Sequence, residues 1–275
     1  MPELMGKPHM GIVRYNSSDK SDPVTGPPAH QNFGCMDPTA DELVPIVPKQ
    51  VGRRVNDLEP ADYLKIGLQG WPNASDPNSL IRKWALGSGP MYSDWREPSV
   101  KRLTLNSGNS SQFPPESEPM HLDYETGEWV YFVIENNHEL PEADPPRVIP
   151  RSVHPIHLHG HDFYVLAQGP GKFNESIVPN LDNPPRRDVA NCPIYGHLWI
   201  GFPVDNPGAW LLHCHIAWHS SAGFSIQFLE QTSKIVPLMD KAGALPELEA
   251  RCAEWKDYYE NEHPDKGKQV DMRRV

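Results

Sequence analysis

The sequence has no surplus of positive charge, no long apolar run and no paired-cysteine motif, and each absence removes a class of function. The formal net charge is −11, whereas nucleic acids and anionic membranes are gripped through a basic footprint. Neither partner is expected. No apolar stretch approaches the roughly 18 residues of a spanning helix. The start, Met1-Pro2-Glu3-Leu4-Met5-Gly6-Lys7, lacks the apolar centre of a signal peptide. There are only four cysteines, Cys35, Cys192, Cys214 and Cys252, and no CxxC among them. A zinc site is therefore not expected, and the sequence does not say which cysteines pair. No segment recurs at a fixed period.

What is abundant points to sheets and turns. The 275 residues include 31 prolines and 20 glycines, both poorly tolerated inside helices and central strands. With 8 Trp, 9 Tyr and 8 Phe the chain is too aromatic to be disordered. Strands are expected at 9–15, 62–70, 81–86, 128–136, 156–168, 197–204, 209–214 and 223–230, with turn residues between them, as in Asp205-Asn206-Pro207-Gly208. Residues 17–50 read as irregular, and a domain boundary is expected near 50–60. Residues 238–262 turn rich in Leu, Ala, Glu, Lys and Arg and read as one or two helices, with a polar, frayed tail at 263–275. The fold class is all-β, a sandwich or barrel with a helical C-terminal segment. Four acceptor sequons, at Asn16, Asn73, Asn109 and Asn174, matter only in a secretory setting. They pull against the missing signal peptide.

Eight of the thirteen histidines lie between 154 and 219. Seven of these form two groups, His154-Pro155-Ile156-His157-Leu158-His159-Gly160-His161 and His213-Cys214-His215-Ile216-Ala217-Trp218-His219. On a strand, successive side chains point to opposite faces. Cys214 then faces one way while His213 and His215 face the other. His157 and His159 share a face, and His154 has the opposite parity. Cys214, His154 and His219 can thus form one site of a thiolate and two imidazoles, which suits an electron-transfer copper. His157, His159, His213 and His215 form a second site of imidazoles alone, joined to the first through short backbone paths. One buried histidine is ordinarily a hydrogen-bonded core residue, but six spaced in this way around one cysteine call for metal. His161 reads as a supporting or structural residue. His9, His30, His121, His138, His197 and His263 stand outside the pattern.

The two groups resemble the third and fourth copper motifs of multicopper oxidases. The stretches Asp182-Asn183-Pro184-Pro185-Arg186-Arg187-Asp188 and Asp205-Asn206-Pro207-Gly208-Ala209-Trp210-Leu211 are similar to those of ascomycete fungal laccases. The resemblance runs from about residue 9 to about 270. It implies a remnant of a middle cupredoxin domain and linker in 1–55, a third, Greek-key cupredoxin domain in 56–235 and a helical extension in 236–275. It implies copper throughout: type 1 at His154, Cys214 and His219, type 2 at His157, and the type 3 pair at His159, His213 and His215. Phe224 falls at the axial position, where it cannot coordinate, and an apolar residue there raises the reduction potential. Trp218 is expected to floor the reducing-substrate pocket beside His219. The activity implied is one-electron oxidation of phenolic donors coupled to reduction of dioxygen to water, in a secreted glycoprotein.

The sequence also departs from the family. The oxygen site of the family uses eight histidines and this chain supplies four; no other His-x-His pair is left to fill the role. By resemblance Cys252 would pair with a first-domain cysteine and Cys35 with one earlier in the second domain. A Cys35–Cys252 bond would need Cα atoms within about 7 Å. The match to the family's C-terminal plug stops at Asp271. The expectation is a truncated form that holds type 1 copper but does not reduce dioxygen alone, its N-terminal domains being missing. Two other functions compete with a laccase. One is a copper-binding electron-transfer module without oxidase activity, which would not need the four imidazoles. The other is an oxidase of narrower substrate, coupling phenols in pigment or secondary metabolism.

Overall fold

The computed structural model describes residues 152–262 without a break, most of 42–136, and a few positions before them. The expected strand at 9–15, the tail 263–275 and Cys35 lie outside the described residues, apart from Arg14. The chain divides into two units, Met1–Met36 and Asp37–Val275. In the first, Arg14 pairs with Asp22 at 2.8 Å. All the described strands and helices belong to the second unit.

Its elements in chain order are β1 (Tyr63–Asn73), β2 (Asp76–Leu86), α1 (Ser99–Leu105), β3 (Met120–Leu122), β4 (Trp129–Glu135), β5 (His154–Leu158), β6 (Phe163–Pro170), β7 (Arg186–Arg187), β8 (Val189–Cys192), β9 (Gly196–Pro203), β10 (Gly208–Cys214), α2 (Ala217–Ser221), β11 (Ser225–Glu230), α3 (Thr232–Lys241) and α4 (Leu245–Asn261). The strands form a six-stranded sheet, in the order β2-β1-β4-β9-β6-β7, and a five-stranded sheet, β3-β11-β10-β5-β8. Most pairs are antiparallel; β1–β4 and β11–β3 are parallel.

The main core lies between the sheets and is built by strand alternation. From β5 come His154, Ile156 and Leu158, buried alternately with half-buried Pro155 and His157. From β10 come Leu212 and Cys214. Phe132, Phe163, Phe202, Phe224 and Phe228 fill the space between them. The outer face of the six-stranded sheet is covered as well: Tyr131, Val133, Tyr164, Leu166 and Trp199 pack there with Val51. That is why β4 and β9 are buried on both faces and read as continuous apolar runs rather than alternating ones. On the outer side of the five-stranded sheet Leu103 of α1 and Ile235 of α3 pack on Leu229.

The expected strands from 62 onward recur with shifted ends, and one is divided. The run 156–168 is two strands, β5 and β6, because Gly160 turns the chain with φ +76. The short pieces β3, β7 and β8 and helices α1 and α2 were not expected. The helical segment starts at Thr232 rather than 238. Pro237 sits inside α3. The N-terminus of α3 is satisfied from a distance: Thr232 N donates to Asp123 Oδ1 at 2.7 Å. Among the described residues no helix is long and apolar enough to cross a membrane.

Candidate metal centre

Strand β10 carries the site on both of its faces. It pairs with β5 so that His213 lies opposite His157 and Cys214 opposite Ile156. Cys214 therefore turns into the core while His213 turns out. His215, just past the strand, is exposed on the outer side, with its ring 5.5 Å from that of His157 and 5.7 Å from that of His213.

On the inner side His154, Cys214 and His219 converge, their ligand atoms all within 4.8 Å of one another. Cys214 Sγ is 3.7 Å from His154 Nδ1 and 3.6 Å from His219 Nδ1. Ligands about 2.1 Å from one trigonal centre would be separated by about this much. His154 comes from the start of β5. His219 comes from α2, a single turn that brings the ring back over the cysteine. Its backbone is fixed by Phe224 N, which donates to His219 O at 3.0 Å, and by Cys214 N, which donates to Phe224 O at 3.1 Å. The Phe224 ring, wholly buried, lies 4.9 Å from that of His154. Burial pushes the Cys214 thiol up to about 11 and holds His219 below the ordinary imidazole value. A metal bound here would displace the thiol proton that burial otherwise retains, and neutral imidazoles are what ligation needs.

Trp84 was not singled out in the sequence, yet its ring packs against both histidines of this set and against Phe224. It lies 4.3 Å from the His219 ring, 5.1 Å from His154 and 5.5 Å from Phe224. Two backbone bonds deliver it: Trp84 N to Ala222 O at 2.9 Å, and Met91 N to Gly223 O at 3.0 Å. Gly223 has φ +101, and a Cβ there would stand 2.9 Å from Trp84 O. The signal was available in the expected strand 81–86, in which Trp84 and Leu86 share a face. Trp218 by contrast is 78% exposed and flanks His219 on the outside.

On the outer side His157, His159 and His213 bring ligand nitrogens within 4.8 Å of one another, and His159 Nε2 is 3.0 Å from His213 Nε2. The backbone sets which nitrogen is presented. His157 Nδ1 donates to Asp188 O at 2.8 Å and His213 Nδ1 to Cys214 O at 2.9 Å, which leaves each Nε2 for a ligand. Burial holds His213 below the ordinary imidazole value; His159 is lowered by burial and then by its histidine neighbours. Both donor sets suit copper by chemistry: thiolate with imidazoles on one side, imidazoles alone on the other.

The remaining residues fall apart from these sets. Cys192 is buried, and its thiol donates to Ile134 O at 3.5 Å. Cys252 is buried and free. His197 Nδ1 bonds Gly171 O, and His121 lies beside Thr232. His9, His30, His138 and His263 lie outside the described residues.

Comparison with known proteins follows the same lines. Residues 91–234 match the sequence profile described as multicopper oxidase. The chain is 58% identical over 253 residues to a protein of Pestalotiopsis microspora named oxidoreductase GME11365, covering 91% of this chain and 41% of that one. It is 50% identical over 262 residues to a dihydrogeodin oxidase of Aspergillus terreus, covering 94% of this chain and 43% of the relative. Among solved structures, a laccase of Botrytis aclada matches with a TM-score of 0.64 at 35% identity, over 90% of this chain and 41% of the laccase. The fold is cupredoxin-like, as in that laccase. The chain spans less than half the length of the curated relatives it matches.

Proposed function

The chain belongs to the multicopper oxidase family, and on that premise we propose that it withdraws single electrons from a phenolic donor at His154, Cys214 and His219 and delivers them to dioxygen at the imidazole face. We assign His154, Cys214 and His219 to type 1 copper, His157 to type 2, and His159, His213 and His215 to the type 3 pair. Copper, when bound, supplies the electron acceptor on the first face and the dioxygen-reducing centre on the second. Everything else is the work of the chain. His219, at the surface end of the buried set, receives electrons from the donor, with exposed Trp218 beside it as an apolar contact. Cys214 and its neighbours His213 and His215 join the two faces through single peptide units. Phe224, Trp84 and the surrounding core exclude water from the thiolate. Four phenols each lose one electron and one proton for every dioxygen that becomes two waters.

One observation carries this reading: two donor sets of different chemistry stand back-to-back on β10, sharing Cys214 and His213 as adjacent residues. An electron-transfer module alone would have no use for the outer set.

The narrower, phenol-coupling reading is favoured over a general laccase, because identity is 50% to the dihydrogeodin oxidase and 35% to the laccase structure. The physiological donor is then a phenol that is coupled in pigment or secondary metabolism. The relatives are more than twice as long, and His159 and His215 are exposed. The outer face is accordingly proposed to meet further polypeptide bearing the rest of the imidazoles. Secretion and glycosylation belong to the same reading; Asn174 is an exposed acceptor position.

The test is to load the purified chain with copper and record visible absorption and oxygen uptake with a phenol. The expected result is an intense thiolate–copper band without turnover at the rate of an intact laccase. No such band at copper saturation would overturn the assignment of Cys214. Full turnover would overturn the need for further imidazoles.

A further inference from the structure

His157 and His213 are held by strand pairing, but His159 is not. Strand β5 ends at Leu158, and the chain turns away at Gly160. His159 keeps one ladder-like bond, its N–H to Leu211 O at 2.8 Å. Something else must fix the segment beyond it, because His159 Nε2 stands only 3.0 Å from His213 Nε2.

That fixture is built around Glu230, the last residue of β11 and a fully buried carboxylate. A buried carboxylate is tolerated only when its oxygens are bonded, and here both are used. Oε2 accepts from His161 Nε2 at 2.6 Å, and Oε1 accepts from the backbone N–H of Asn206 at 2.6 Å. Asn206 then reaches across: its side-chain amide donates to Gly160 O at 2.8 Å. Its own carbonyl accepts from Trp210 Nε1 at 2.7 Å. The Trp210 ring closes the arrangement from the side. A Cβ on Gly160 would stand 2.4 Å from that ring, and one on Gly208 2.5 Å. The residues directly after His159 are thus tied to the turn at 205–208 and to β11 at once. Asp205 is 3.7 Å from His161 Nδ1 but largely exposed, so it adds little.

We propose that Glu230, acting through His161 and Asn206, is a positioning residue that holds the His159 imidazole where it can share an ion with His213. The proposal rests on the reading of the outer histidines as copper ligands. Glu230 touches neither the ligands nor the reacting atoms. It fixes the loop that carries one of them, in the way that outer partners orient metal ligands generally. The inner set does not depend on this fixture, because His154, Cys214 and His219 are anchored by β5, β10 and α2.

The test separates the two faces. In a Cys214→Ser background, which removes the thiolate, Cu(II) is titrated into the full chain and followed by electron paramagnetic resonance. Into that background are placed Glu230→Leu, Glu230→Gln and Asn206→Ala. Asn206→Ala removes only the tie to Gly160, and it carries the test should Glu230→Leu fail to fold. Loss of an outer partner weakens metal binding by about 10- to 100-fold. Weakening of about 10-fold is expected for Asn206→Ala and more for Glu230→Leu. Glu230→Gln, which still offers an oxygen to Asn206 N–H, should recover most of the affinity. The same variants with Cys214 intact should keep the parent's thiolate–copper band. Variant affinities within twofold of the parent would overturn the proposal alone. So would a thiolate band that fades in parallel, which marks a general loss of fold. A parent that binds no copper through imidazoles would overturn the reading of the outer face, and this proposal with it.

Discussion

The two faces of β10 are chemically opposite. The inner face holds His154 and Cys214 with no exposure at all, against Phe224 and Trp84. The outer face holds half-buried His157 and His213, whose Nδ1 atoms bond backbone carbonyls, and exposed His159 and His215. The inner set is enclosed by packing within this chain. The outer set is completed by hydrogen bonds and stays open on one side. On the proposed reading, burial separates a dry electron-transfer environment from one that admits a small molecule and further ligands.

The largest way to break the contrast is Cys214→Ser. The visible thiolate–copper band should vanish entirely while outer-face copper binding persists, as read by absorption and paramagnetic resonance on the same sample. Loss of both would mean that the faces are one site. Trp84→Ala attacks the inner face through packing instead. Removing a large buried aromatic typically costs about 3–5 kcal/mol, measurable by urea unfolding. The band should weaken while outer-face affinity changes little.

These two variants also mark how far the sequence could be read. Cys214 was legible because side chains on a strand alternate: parity alone put it opposite His213 and His215 and grouped His157 with His159. The same rule could have placed Trp84 inward beside Leu86, but nothing local says that β2 passes over α2. That approach depends on Gly223 and on bonds to a segment more than a hundred residues away. The cap of α3 by Asp123 and the bonds of Glu230 to His161 and Asn206 were illegible for the same reason. They join residues far apart in the sequence, and neither residue type is unusual where it stands. Gly160, by contrast, sat in plain view between His159 and His161. A glycine there should have split the strand expected over 156–168.

Smaller changes sharpen the comparison. Phe224→Met keeps the volume nearly constant and should cost less than about 1.5 kcal/mol. It brings a thioether to the axial side, so the reduction potential of the inner copper should fall, as read by redox titration of the visible band. An unchanged potential would show that Phe224 does not occupy the axial position. The metal-free chain should also respond to pH at both ends. His159, His213 and His219 are held below 6.5, so the unfolded state binds more protons in acid. Stability should decline as the pH drops below about 6.5. Cys214 is raised from 9.0 to about 11, so the folded state keeps a proton that the unfolded state releases. Its contribution should be lost as the pH climbs from 9 to about 11. Thermal unfolding across pH checks both, and Cys214→Ser should shrink only the alkaline limb, part of which remains because burial also pushes the Cys192 thiol up.

The most direct measurement is a copper titration of the unmodified chain followed by paramagnetic resonance and visible absorption together. Two spectroscopically distinct populations are expected. One has an intense visible band and a small copper hyperfine splitting from the thiolate set, and the other has an ordinary imidazole signature without colour. A single population, or a coloured signal that survives Cys214→Ser, would contradict the division of β10 into two copper faces.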